Sequence, residues 1–163
     1  METLVALVVL SVGLLGVAAL LLQSVRGSRT ALFRTHAVNL VSDMADRIRA
    51  NGNAGAAYGT AQYGAGGPAV SRCAPTMALS GTNCSVNQLA QDDIARWRAD
   101  VLATLPGNGA NLPAAVVQHV APPGAGAAER YIVSVQWQEP GDTNNPDQFS
   151  YRSDVVIMPR PAP

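Results

Sequence analysis

The sequence predicts an α+β protein in which one long N-terminal helix packs on a small antiparallel sheet. Three observations carry that expectation. A charge-free apolar run from Leu4 to Leu22 leads, with no proline, into a striped helical segment that ends near Asn51. A second helical stripe begins near Val86, and from Ala114 the hydrophobic period changes to two in three segments separated by turn-forming residues. At 163 residues and 16.9 kDa the chain has room for one domain plus an anchor, and not for two ordinary domains. Hydrophobic residues make up 48% and charged residues 13%, roughly half the charge of an average soluble chain, so part of the molecule is not ordinary aqueous surface. Eleven basic residues, all Arg, offset eleven acidic ones. The balance leaves no general field to attract nucleic acid, and no nucleic-acid partner is expected.

The apolar run LVALVVLSVGLLGVAALLL is diluted only by Ser11 and two glycines. At about 1.5 Å per residue it would cover roughly 28 Å as a helix, close to the hydrocarbon thickness of a bilayer. A secretory signal would have a basic leader, a shorter apolar centre and a small-residue cleavage site, whereas here Met1-Glu2-Thr3 precedes and Gln23-Ser24-Val25-Arg26 follows. A retained transmembrane helix over residues 1–25 is the expectation. Residues 26–51 then read as its amphipathic continuation, with Phe33, Ala37, Leu40, Val41, Met44 and Ile48 at spacings of three and four. Asp43 before Arg47 and Asp46 before Arg49 agree with that register, and Asn51-Gly52-Asn53 stops it. The whole would be a rod of about 70 Å, apolar all round in its first half and striped in its second.

The remainder, 52–163, is expected to be an α+β domain. It opens on a Gly/Ala/Asn-rich stretch to Gly67, read as a long surface loop whose Tyr58 and Tyr63 dock onto the helix. Cys73 and Cys84 fit neither a CxxC redox motif nor a four-ligand zinc pattern, so a disulfide is the simplest reading. Closing that loop would stabilise the fold by about 3 kcal/mol in the chain-entropy model, and a disulfide implies an oxidising compartment. Ser85-Val86-Asn87-Gln88 has the form of a capping box, followed by Ala90, Ile94, Trp97, Val101 and Leu105 at helical spacing. This predicts a helix over about Val86–Thr104, with Trp97 in the core and an Asp92–Arg96 pair on the outer face. Strands are expected around Val116–Val120, Tyr131–Trp137 and Phe149–Ile157, joined by turns long enough for antiparallel pairing. One sheet face would be apolar and covered by the striped half of the long helix.

Enzymatic chemistry finds no support. GxSxG, Walker and HExxH motifs are absent, and His36 and His119 lack nearby nucleophiles or ligand partners in sequence. Asp142, Asn144 and Asp147 lack the glycine and distal Glu of an EF-hand loop and read as a solvated turn. Asp92-Asp93 reads as favourable charge near a helix N-terminus. No catalytic residue, cofactor or metal is expected.

Glu2 ahead of VALVVLSVGLLG, the helix end RTHAVNLVSDMADRIRAN, the segment CSVNQLAQDDIARWRADVLATLPGNG and the strand YIVSVQW together resemble minor pilins of the type IV pilus, of the PilV type. The likeness is closest over Glu2 to Asn51, moderate over Cys84 to Gly109 and Tyr131 to Trp137, and weak in the glycine-rich stretch. It implies a pilin-like fold and a non-enzymatic role in priming pilus assembly, with a place in the fibre or at its tip. The partners it implies are other minor pilins, the major pilin and the inner-membrane assembly platform. It also implies methylation, a single-pass inner-membrane anchor with the C-terminal domain in the periplasm, and an assembly role for Glu2, which would pair with the N-terminal amine of a neighbouring subunit. Family precursors carry a short basic leader ending in Gly, cleaved four positions ahead of the residue matched by Glu2, so the resemblance implies a truncated N-terminus. Arg26, Arg29 and Arg34 all follow the span; taken literally the positive-inside rule would keep the domain cytoplasmic, whereas a leader with basic residues would reverse that orientation. A type II secretion minor pseudopilin would share the same plan. A membrane-anchored periplasmic binding module would instead need a concave polar pocket.

Overall fold

The computed structural model describes residues 1–63, 67–68, 73, 84–107, 113–124, 127–139 and 148–157. The Asp142, Asn144 and Asp147 turn, most of the loop between the two cysteines and the end of the glycine-rich stretch lie outside the described residues. The order of elements is helix α1 (Glu2–Ala50), two short 3₁₀ segments (Gly52–Tyr58 and Thr60–Tyr63), helix α2 (Val86–Thr104), and strands β1 (Ala114–Val120), β2 (Glu129–Gln138) and β3 (Gln148–Ile157). This long N-terminal helix with a small antiparallel sheet is a pilin-like α+β fold. The chain divides into two compact units, Met1–Thr35 and His36–Pro163.

The first unit is helical from Glu2 onward. Its polar interruptions are absorbed by the helix itself: the Ser11 hydroxyl donates to the Val8 carbonyl at 2.8 Å and the Thr35 hydroxyl to the Ala31 carbonyl at 3.0 Å.

In the second unit α1 buries Ala37, Val41, Met44, Ala45 and Ile48. The stripe differs from the expected one at two places in this unit, because Leu40 is only half-buried while Ala45 is buried. Alanine carries little hydrophobic signal in a sequence, yet its small side chain permits close approach of another element. Helix α2 starts where its cap predicts, since Ser85 Oγ accepts the Gln88 N–H and Gln88 Oε1 accepts the Ser85 N–H. It buries Ala90, Ile94, Trp97 and Val101, and the Trp97 indole donates to the Leu40 carbonyl of α1 at 2.8 Å.

The stretch after α1 corrects the surface-loop expectation. Gly52–Tyr58 and Thr60–Tyr63 form 3₁₀ turns that lie against α2 and β1 and bury Ala54, Tyr58 and Thr60. Small side chains let the backbone fold this tightly, and Gly55, at φ 52° and ψ −129°, adopts a conformation that residues with a Cβ rarely reach. Tyr58 docks on α1 as expected, its hydroxyl donating to the Arg47 carbonyl at 3.2 Å, whereas the Tyr63 hydroxyl donates to the Ala57 carbonyl within the same stretch.

The sheet has the order β1-β2-β3 with both pairs antiparallel. Register aligns Ala115, Val135 and Tyr151; Val117, Val133 and Ser153; and His119, Tyr131 and Val155 in rows on one face. That face holds the buried Ala115, Val117, Tyr131, Val133, Val135, Trp137 and Val155, which with the stripes of α1 and α2 form the core. Val116, Val120 and Val156 lie on the opposite, exposed face beside Gln118, Arg130, Arg152 and Asp154.

Candidate assembly surfaces

The first unit offers one chemistry. From Leu4 to Leu22 every Leu and Val is between 55% and 70% exposed, so within its own unit this helix presents apolar side chains all round. Water would be a costly solvent for so much contiguous apolar area, and the helix is long and apolar enough to cross a membrane. Glu2 lies in its first turn and is exposed, where a carboxylate complements the positive end of the helix.

In the second unit a polar junction ties the end of α1 to α2 and the first 3₁₀ segment. Arg47 donates from Nε to Asp43 at 2.9 Å and from Nη1 to Asp93 at 3.2 Å. Tyr58 donates to the other Asp93 oxygen at 2.7 Å, and Asn51 donates to the Val86 carbonyl at 2.8 Å. Burial, and then the neighbouring Asp93 carboxylate, push the Tyr58 hydroxyl well above its ordinary pKa. Sequence reasoning placed Asp93 only as a charge near a helix N-terminus. Its pairing across three elements is a long-range fact with no local signature, and Tyr58 was the nearest signal.

Asp92 corrects a second expectation. It is paired with Arg96 at 2.8 Å, but its carboxylate is buried rather than on an outer face, and Asp92 Oδ1 accepts no hydrogen bond among the described residues. Helix α2 is covered on more sides than its single apolar stripe implies.

Cys73 and Cys84 are brought together, with Cα atoms 5.7 Å apart and sulfurs at bonding distance. Farther along the sheet His119 Nε2 lies 3.7 Å from Glu129, which also accepts from the Tyr131 hydroxyl. A groove of about 610 Å³ runs beside β1, between Ala56–Gln62 and Arg98, with a lining dominated by apolar atoms. Its described lining also includes the polar side chains of Thr60, Gln62, Arg98, Gln118 and His119.

Residues 19–95 match the family model described as Tt1218-like, type IV pilin Tt1218. The match supports a type IV pilin. It takes in the end of the apolar run, the striped half of α1, both cysteines and the first half of α2, just under half of the chain. No curated protein and no solved structure gives a significant match. For this chain the pilin match suggests a non-enzymatic protein with a role in a pilus, interacting with other pilins and with the pilus machinery. An apolar N-terminal helix fits membrane anchoring followed by residence in a pilin fibre.

Proposed function

We propose that this chain is a minor pilin of the PilV type that takes part in initiating type IV pilus assembly and enters the fibre or its tip. The observation that carries the reading is the exposed apolar helix of the first unit, headed by Glu2. Such a helix has two suitable surroundings, lipid and a bundle of similar helices, and a pilin exchanges one for the other during assembly. In the inner membrane the helix would be the single-pass anchor, with the cystine-bearing domain in the periplasm, where Cys73 and Cys84 would be oxidised to a disulfide. In the fibre Glu2 would pair with the N-terminal amine of a neighbouring subunit and set axial position, because a carboxylate at the edge of an apolar bundle is costly unless paired. Processing and methylation follow from the same assignment.

Pilus counts by electron microscopy test it in cells that lack the chromosomal copy and carry either the wild-type reading frame or Glu2→Ala. Wild type restores pili, whereas Glu2→Ala inserts and folds but restores few and does not co-purify with other minor pilins. Equal pilus counts for the two would remove the pairing role.

A further inference from the structure

The two edges of the sheet are treated differently. Along β1, Thr60 Oγ1 accepts the Val117 N–H at 3.0 Å and donates to the Val117 carbonyl at 3.2 Å, so one buried side chain satisfies that edge locally. Along β3, among the described residues, no hydrogen bond from outside β2 reaches the backbone of residues 150–157. In an antiparallel pair alternate residues turn their N–H and C=O groups away from the partner strand, so this edge presents a row of main-chain donors and acceptors that another strand can fill.

Charge narrows the occupant. Proteins that keep an edge unpaired commonly place like charges on it. Here Arg152 and Asp154, 59% and 43% exposed at their side chains, stand two residues apart with opposite sign on the same face. When a strand meets a second copy of itself antiparallel, a two-fold axis normal to the sheet passes through the register. Centring on residue 152 or 154 sets like charges directly opposite each other. Centring on Ser153 sets Arg152 opposite Asp154 of the second copy on both sides of the axis. The same register matches Phe149 with Ile157, Tyr151 with Val155 and Ser150 with Val156 of the second copy, so residues 149–157 are paired throughout.

We propose that β3 is a self-complementary docking edge, at which a second copy of this chain adds antiparallel in the register centred on Ser153 to give a continuous six-stranded sheet. Main-chain bonds supply the contact, and the Arg152–Asp154 pairs select the register. The contact is closed, uses only β3, and stands independently of any role in a pilus.

Sedimentation equilibrium of the full chain in detergent micelles tests it with two charge reversals. Wild type is expected to dimerise, and Arg152→Asp and Asp154→Arg are each expected to weaken self-association by about tenfold or more, since both cross-axis pairs become repulsive. Mixed in equal amounts, the two variants are expected to pair with each other about as tightly as wild type, because every cross-axis pair is again opposite in sign. Arg152→Asp leaves the Arg130–Asp154 bond of 2.6 Å intact, so its effect is read even if Asp154→Arg folds poorly. Ser153→Cys, on the axis, is expected to form a cross-linked dimer under mild oxidation, since antiparallel partners bring Cα atoms to about 5 Å. A monomeric wild type, self-association unchanged by the reversals, a mixture no tighter than its components, or no cross-linked dimer from the Ser153→Cys variant would each overturn the pairing.

Discussion

Asp93 occupies a helix position that reads as solvent-facing, yet it accepts from Arg47 on α1 and from Tyr58 on the first 3₁₀ segment. Removing the carboxylate leaves Arg47 with Asp43 alone and the buried Tyr58 hydroxyl with only the Arg47 carbonyl at 3.2 Å, so Asp93→Ala is expected to cost about 1–3 kcal/mol in denaturant unfolding followed by circular dichroism. A loss below about 0.5 kcal/mol would show that the junction is incidental. The same hydroxyl gives a pH dependence. Burial raises the Tyr58 pKa above the ordinary 10.0, as it does for Tyr131, where Glu129 adds to the effect. A folded pKa above the unfolded one favours the neutral phenol in the native state, so the stabilisation is fully present below pH 10 and is lost as pH rises through and beyond it. Unfolding free energy should therefore fall from about pH 10 upward, and Tyr58→Phe should make that fall shallower. Identical slopes for the two proteins would contradict the assignment. Gly55→Ala, forcing a Cβ onto φ 52°, is expected to cost about 1–2 kcal/mol in the same assay.

Among the elements, those with a strong local signal were legible in the sequence. The capping box at Ser85 and Gln88 fixes the start of α2, and Leu105-Pro106 its end. The alternation of Tyr131, Val133, Val135 and Trp137 marks β2 because each faces the core. What was not legible depends on neighbours far along the chain. Composition makes residues 52–63 look like a solvated loop, but coverage by α2 and β1 turns small side chains into an advantage and buries Tyr58 completely. Asp92 is buried on a helix face that periodicity leaves polar. The outward valines of β1 could not be told from the inward ones, since Val116, Val117 and Val120 have the same chemistry and only the pairing with β2 settles which faces in. At this scale Met44→Asp, which places a carboxylate in a fully buried position of α1, is expected to destabilise the second unit by more than about 3 kcal/mol, while Asn39→Asp on an exposed position changes stability by less than about 0.5 kcal/mol. Similar melting temperatures for both variants would contradict the helix face assigned here. Mass spectrometry after alkylation without reductant should find no free thiol in exported protein, and two free thiols would remove the proposed disulfide.

For the whole molecule, the two units call for different surroundings. His36 onward folds around its own core of α1, α2 and the inner sheet face, whereas the apolar side chains from Leu4 to Leu22 are exposed. A helix long and apolar enough to cross a membrane was evident from the sequence because length and composition alone define it. The proposed assembly role was not, because it belongs to contacts with other chains that neither periodicity nor one subunit contains; the pilin match reaches only residues 19–95 and leaves Glu2 outside. Recovery in sheared fibres tests the central claim most directly. Pili removed from native cells by shearing, purified away from membranes and quantified by mass spectrometry, should contain peptides of this chain at a small fraction of the major subunit. Absence from the sheared fibre, with the chain retained in the membrane and pilus number unchanged by its deletion, would contradict the account.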